Sequence, residues 1–148
     1  MEEHELYEKA LRLYESRNWS RRSRAGRGDW SQSAPICVLE AIAIAAGKDT
    51  WTELKASDIP TAIEVARSTY TGPRACIQDE QALSWVYALN DQQIASRAGA
   101  RHFLRACMDL AAQRAYDDSK ADAENVTGWD GTGREVQDFL SRNREDNL

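Results

Sequence analysis

Five arginines, Arg17, Arg21, Arg22, Arg24 and Arg27, crowd into eleven residues of a 148-residue chain whose net charge is −5. Trp19 and Trp30 flank them, and Asp29 is the only acid between Arg17 and Ala34. Guanidinium groups bind phosphate and carboxylate in a forked geometry, and indole rings offer stacking planes, so this pattern suits an anionic partner. The chain's own acids compete for that role. Residues 17–34 carry +4, whereas residues 1–16 carry −3 and residues 117–148 carry −5. The arginines could equally pair with these acidic ends while the tryptophans anchor the segment. A pI of about 5.1 argues against a dedicated nucleic-acid binder, which is normally basic overall.

Other reactive residue types are present without a motif. Arg97, Arg101 and Arg105 recur at i, i+4 and i+8 and form a secondary basic stripe, a pattern common on solvated helix faces. Cys37, Cys76 and Cys107 are widely spaced, with no CxxC pair, and read as free structural thiols, with Cys37 and Cys107 in apolar helical patterns as small buried hydrophobes. His102 and Cys107 are five residues apart, about 140° around a helix, which excludes a nucleophile pair within that helix. Asp117, Asp118, Asp122 and Glu124 lack calcium-loop spacing and read as a solvated acidic connector. Gly26-Arg27-Gly28 does not extend to a phosphate loop, and neither HExxH nor GxSxG occurs. No catalytic residue, metal or cofactor is expected. A composite carboxylate site built from distant helices, such as Glu40 with Asp91, is the enzymatic alternative.

The elements that would position these residues are helical almost throughout. Leu6, Ala10 and Leu13, with Tyr7, Leu11 and Tyr14 beside them, predict an amphipathic helix over about 3–16. Residues 18–33 lack a period and read as a long loop, of a length that is usually functional or disordered. Ser33 as cap, Pro35 in the first turn and Gly47 past the end predict a helix over 36–46, apolar nearly all round and therefore central. Glu40 is its exception, expected to reach the helix edge or to pair with an arginine of the loop.

Asp58 is the expected cap of a third helix, with Pro60 in its first turn and Gly72-Pro73 after its end. A fourth helix is expected over 79–90, broken by Asn90-Asp91, whose types suit turn and cap chemistry. Ser96 is expected to cap the longest helix, about 97–116, with a seam of Ala100, Phe103, Leu104, Cys107, Leu110 and Ala111. Thr132 and Glu135 have capping-box spacing ahead of a short final helix. The expected fold is all-α, a single compact bundle of five or six helices with the second and fifth at its centre. Residues 1–116 would form the helical core, and residues 117–148 an acidic connector and short C-terminal helix packed on the same domain.

Two pieces of the chain carry a resemblance. One is the tryptophan–arginine–glycine approach to an apolar helix, Trp19 through Gly28 and then Ala34-Pro35-Ile36-Cys37-Val38-Leu39-Glu40-Ala41-Ile42. The other is Trp85 through Asn90-Asp91, followed by the long helix from Ser96 to Ala111. Together they resemble a family of small helical proteins of unknown function from actinobacteria and their phages, over roughly residues 5–115. Glu40 stands where that family tends to carry glycine, and residues 117–148 lie outside the resemblance. It implies a small soluble accessory protein in a phage context and assigns no catalytic residue.

No run of about 18 apolar residues suggests a membrane span, and the Met-Glu-Glu-His-Glu start lacks a secretory leader's basic and apolar parts. A cytoplasmic location is expected. The functional expectation is a non-enzymatic protein that binds a protein partner, with a host protein as the candidate, through Arg21, Arg22, Arg24, Arg27, Trp19 and Trp30. Binding of nucleic acid by the same loop is the alternative.

Overall fold

The computed structural model describes residues 1–21, 34–77 and 82–124, with side chains through residue 121. The fold is all-α. Among the described residues five α-helices follow in order: α1 (Glu3–Ser16), α2 (Val38–Ala45), α3 (Pro60–Thr69), α4 (Leu83–Ala88) and α5 (Arg97–Glu124). Among the described residues the sole extended pairing is one isolated parallel bridge, Trp19 with Ile36. The chain divides into two compact units, Met1–Ala112 and Gln113–Leu148.

α1 begins where Glu2 and Glu5 cap it reciprocally, the Glu2 N–H donating to Glu5 Oε2 at 3.2 Å. It buries Leu6, Tyr7, Ala10 and Tyr14, so the two tyrosines belong to the core face and Leu13 only borders it. α1 and α2 pack closely against each other. Every residue of α2 except Ile44 is buried, which bears out its central place.

The start of α2 differs from expectation. Its cap is Cys37, not Ser33, and Pro35 precedes the helix rather than opening it. The Glu40 N–H donates to Cys37 Sγ at 3.5 Å, and the Cys37 N–H donates to Glu40 Oε1 at 3.1 Å. Glu40 therefore meets the backbone of its own helix terminus, where the macrodipole favours an anion. That is how a carboxylate persists at 1 % exposure in an apolar helix. Gly47 ends the helix at φ 72°, a left-handed conformation that favours glycine.

α3 is capped from another helix. Asp58, the expected cap, turns back and accepts from the Lys55 N–H at 2.8 Å, closing the 3₁₀ turn Ala56–Asp58. The first N–H groups of α3 go to α1 instead. Glu3 accepts from the Thr61 N–H at 2.7 Å and from Thr61 Oγ1 at 2.6 Å, and the Tyr7 hydroxyl accepts from the Ala62 N–H at 3.0 Å. Tyr7 in turn donates to Glu3. Pro60 at the first helical position removes one donor that would otherwise need a partner.

Asn90-Asp91 does not break the fourth helix. α4 runs directly into a π turn, Leu89–Gln93, which buries Leu89 and Asn90. Ser96 caps α5 as expected, its Oγ accepting from the Gly99 N–H at 3.0 Å. Ala100, Phe103, Leu104, Cys107 and Ala111 are buried, so the predicted seam is the core face, with Leu110 at its margin. α5 is longer than expected: residues 117–124 are helical, not a connector. In the second unit Gln113 Nε2 donates to Asp117 Oδ1 at 3.1 Å, one turn apart on this helix. The expected helix after Thr132 lies outside the described residues.

Tyr7→Phe should lower stability by about 1–3 kcal/mol in urea denaturation, because it leaves the buried Ala62 N–H without its acceptor and removes one of the two donors to Glu3 Oε2. A change below a few tenths of a kcal/mol would show that the cap contributes nothing.

Candidate functional site

The residues on either side of the undescribed part of the basic segment pair with each other. The Ile36 N–H donates to the Asn18 carbonyl at 3.0 Å, and the Ile36 carbonyl accepts from the Ser20 N–H at 3.1 Å. The buried Tyr14 hydroxyl donates to the same carbonyl at 2.7 Å. Trp19 is half-buried against the core, while Arg17 is 7 % exposed and belongs to the interior side of this junction. Arg21 is exposed. Its carbonyl accepts from Asn90 Nδ2 at 3.5 Å, and Asn90 Nδ2 also meets Asp91 Oδ1 at 2.9 Å. The structure thus brings the start of the arginine segment to the Asn90-Asp91 turn. Arg22, Arg24, Arg27 and Trp30 lie outside the described residues.

A second basic–aromatic cluster forms at the opposite end of α3. The guanidinium carbons of Arg67 and Arg74 lie over the Trp85 ring, 5.8 and 5.1 Å from its centroid. Tyr70 meets the same indole edge-on at 6.4 Å. The Tyr70 hydroxyl donates to the Pro73 carbonyl at 2.9 Å, and its ring crosses Gly72 so closely that an added Cβ would lie 2.5–2.8 Å from three of its atoms. Gln93, at the end of the π turn, fixes this corner. It accepts from the Thr71 N–H at 2.8 Å and donates to the Thr69 carbonyl at 2.9 Å. A pi-helical turn carries one residue more per hydrogen-bonded ring than an α turn, and here that places Gln93 against the end of α3.

Arg97 and Arg105 are exposed on α5 and Arg101 is half-buried between them. His102 is exposed, and Cys107 is fully buried, so the two face apart as their spacing predicts. His102 stands on a cleft of about 410 Å³ walled by Val65, Leu89, Ile94 and Phe103. Among the described residues no group of three or more His, Cys, Asp or Glu side chains is placed to hold a metal ion. No described helix is long and apolar enough to cross a membrane.

The buried hydroxyls and thiols are held in their protonated forms. Burial pushes the Cys37 thiol up to about 12, with the nearby Glu40 carboxylate adding to the effect against opposing backbone hydrogen bonds. Burial raises Cys107 as well, and raises Tyr7 and Tyr14, Tyr7 further through its bond to Glu3. A thiolate is the nucleophilic form of cysteine, so neither buried thiol is poised to attack a substrate.

The chain was compared with protein-family models, curated proteins and solved structures, and none matches. Sequence reasoning singled out Trp19 and Arg21 and did not anticipate Arg67 and Arg74 as neighbours of Trp85. Arg67 and Arg74 are separated by a helix end and a Gly-Pro turn, and no spacing rule links either to Trp85. Only the compositional excess of tryptophan hinted that one would need a polar or cationic neighbour.

With thiol-directed reagents at mildly alkaline pH, half-buried Cys76 should react in the native protein, and Cys37 and Cys107 only on unfolding. The Cys37 shift also sets a pH dependence. The unfolded thiol ionises near 9 and the folded one near 12, so the folded state binds more protons in between. Its stabilising contribution is complete below about pH 9 and is lost as pH rises toward 12. Thermal melts of the wild type and Cys37→Ser, compared across that range, should converge as pH rises.

Proposed function

We propose that this protein is a non-enzymatic binding protein that engages an acidic surface of a protein partner through the arginine-rich segment after α1. The observation that carries the reading is the junction at Ile36. Its backbone bonds fix where the segment departs and returns, so Arg21 is presented from a packed base rather than from a free terminus. Trp19, half-buried at that base, serves as the apolar anchor, and Arg21, Arg22, Arg24 and Arg27 with Trp30 supply forked donors and stacking surface. The resemblance to small actinobacterial and phage proteins supports an accessory role of this kind, with a host protein as partner.

Binding rather than catalysis is also supported by the state of the buried groups. Cys37, Cys107, Tyr7 and Tyr14 are kept neutral by burial and used in packing and hydrogen bonding.

The test is capture of partners from a bacterial lysate by the tagged full chain, before and after nuclease treatment, in parallel with Arg21→Glu/Arg22→Glu. A discrete protein that survives nuclease and is lost with the double variant is the expected result, with an unchanged circular dichroism spectrum. Capture that depends on nucleic acid, and weakens steeply with salt as counterions are released, would overturn the protein-partner reading.

A further inference from the structure

We infer that the cleft between α3 and α5 binds a small amphiphilic carboxylate, such as a medium-chain alkanoate, with its apolar body on the cleft floor and its carboxylate at the mouth beside Ser96 and His102. The cleft has a volume of about 410 Å³. Small-molecule sites typically enclose roughly 300–1,000 Å³ and join an apolar lining to a few polar groups. α5 supplies one wall through Gly99, His102, Phe103 and Ala106, which recur at i, i+3, i+4 and i+7 and so share one stripe of the helix. Val65 of α3 stands opposite, and Leu89 and Ile94, at the start of the π turn and just after it, close the end. Val65, Leu89, Ile94 and Phe103 are buried core residues, so their outer atoms give the cleft an apolar floor.

Gly99 is the residue that points to an occupant. It lies in the first turn of α5, where glycine is less favourable than alanine because it gives up more backbone freedom on folding. Neither the backbone nor the packing requires it. Among the described glycines the positive φ belongs to Gly47. A Cβ at Gly99 would meet Ser96 Oγ at 3.4 Å and Ile94 Cγ2 at 3.8 Å, both ordinary van der Waals contacts. Ser96 and Ile94 line the cleft, so an added methyl would stand in the cleft rather than in the core. The fold could accept a side chain here, and its absence leaves the cleft open.

The polar groups at the mouth set the ligand's head. The Ser96 oxygen accepts from the Gly99 N–H at 3.0 Å, which leaves the hydroxyl hydrogen to donate. His102 is exposed on the same cleft and offers an imidazole N–H. Both stand at the start of a 28-residue helix, whose macrodipole puts partial positive charge at this end, and Arg97 is exposed next to Ser96. Two donors in a positive field suit the two oxygens of a carboxylate, and the apolar floor suits a hydrocarbon body behind it.

The experiment follows the imidazole C–H signals of the full chain, which has two histidines, with His102 assigned by difference with His102→Ala. The chain is titrated with octanoate, acetate or 1-octanol at constant pH and ionic strength. Saturable movement of the His102 signals with octanoate is expected. Acetate lacks the body and should not saturate, and octanol lacks the charge and should bind about tenfold more weakly or worse. Gly99→Ala should melt at the wild-type temperature or above it, yet bind octanoate about tenfold more weakly, as an extra methyl in an apolar pocket does. His102→Ala, followed at the Gly99 amide, should also bind more weakly. No saturable movement with octanoate, saturation by acetate or octanol at the same concentration, wild-type affinity in either variant, or a lowered melting temperature for Gly99→Ala would each overturn the assignment. The site shares no residue with the arginine-rich segment, so Arg21→Glu/Arg22→Glu should titrate like the wild type.

Discussion

Ile36 is held by both of its backbone groups and by a tyrosine. Its N–H reaches Asn18, its carbonyl takes both the Ser20 N–H and the Tyr14 hydroxyl, and its side chain is 1 % exposed. Residues on either side of it depend on that fixation. Immediately after it, Cys37 caps α2, and the helix it starts is apolar around nearly its whole circumference. Such a helix is stable only if covered, and its cover comes from the tyrosine-bearing face of α1 together with α3 and the inner face of α5. Before Ile36, the same bonds close the base of the arginine-rich segment. One residue therefore couples the seating of the central helix to the chain that enters the arginine-rich segment at Asn18 and Ser20.

The helices are also joined through their ends. Glu3 and Tyr7 satisfy the N–H groups that open α3, so the start of one helix sits on the flank of another. The far end of α3 is held by Gln93 from the π turn that follows α4. A helix end leaves several backbone groups without partners, and meeting them from neighbouring elements fixes angles that side-chain packing alone leaves loose. The cluster of Arg67, Arg74, Tyr70 and Trp85 inherits its geometry from this second junction. The pi turn matters for the same reason: an uninterrupted α-helix would place Gln93 at a different angle to α3.

The polar chemistry is distributed in two directions. Glu40, Thr61 and Asn90 are buried and bonded within the framework. Arg21, Arg67, Arg74, Arg97 and Arg105 are exposed, Arg67 and Arg74 beside the Trp85 ring, and Arg12 pairs with Glu8 on α1. A chain of net charge −5 thus carries local clusters of positive charge without being basic overall.

Much of the helical framework was legible in the sequence because it rests on local rules. The span of α1, the left-handed Gly47, Pro60 at the start of α3, the Ser96 cap and the seam of α5 each follow from periodicity or from one residue's backbone chemistry. Caps proved less legible, since a donor can be satisfied by any oxygen within reach. Asp58 had the right position for α3 yet bonded backward, and Glu3, 58 residues away in sequence from Thr61, took its place. Asn90-Asp91 looked like a breaker, but burial of Leu89 and Asn90 carried the chain on as a π turn. For the candidate sites, composition alone exposed the cluster from Arg17 to Arg27 and marked Trp19. The closure of its base at Ile36 and the gathering of Arg67 and Arg74 on Trp85 were decided by the tertiary structure. Periodicity and capping act over a few residues, whereas a cation finds an aromatic face only once the helices that carry them have packed.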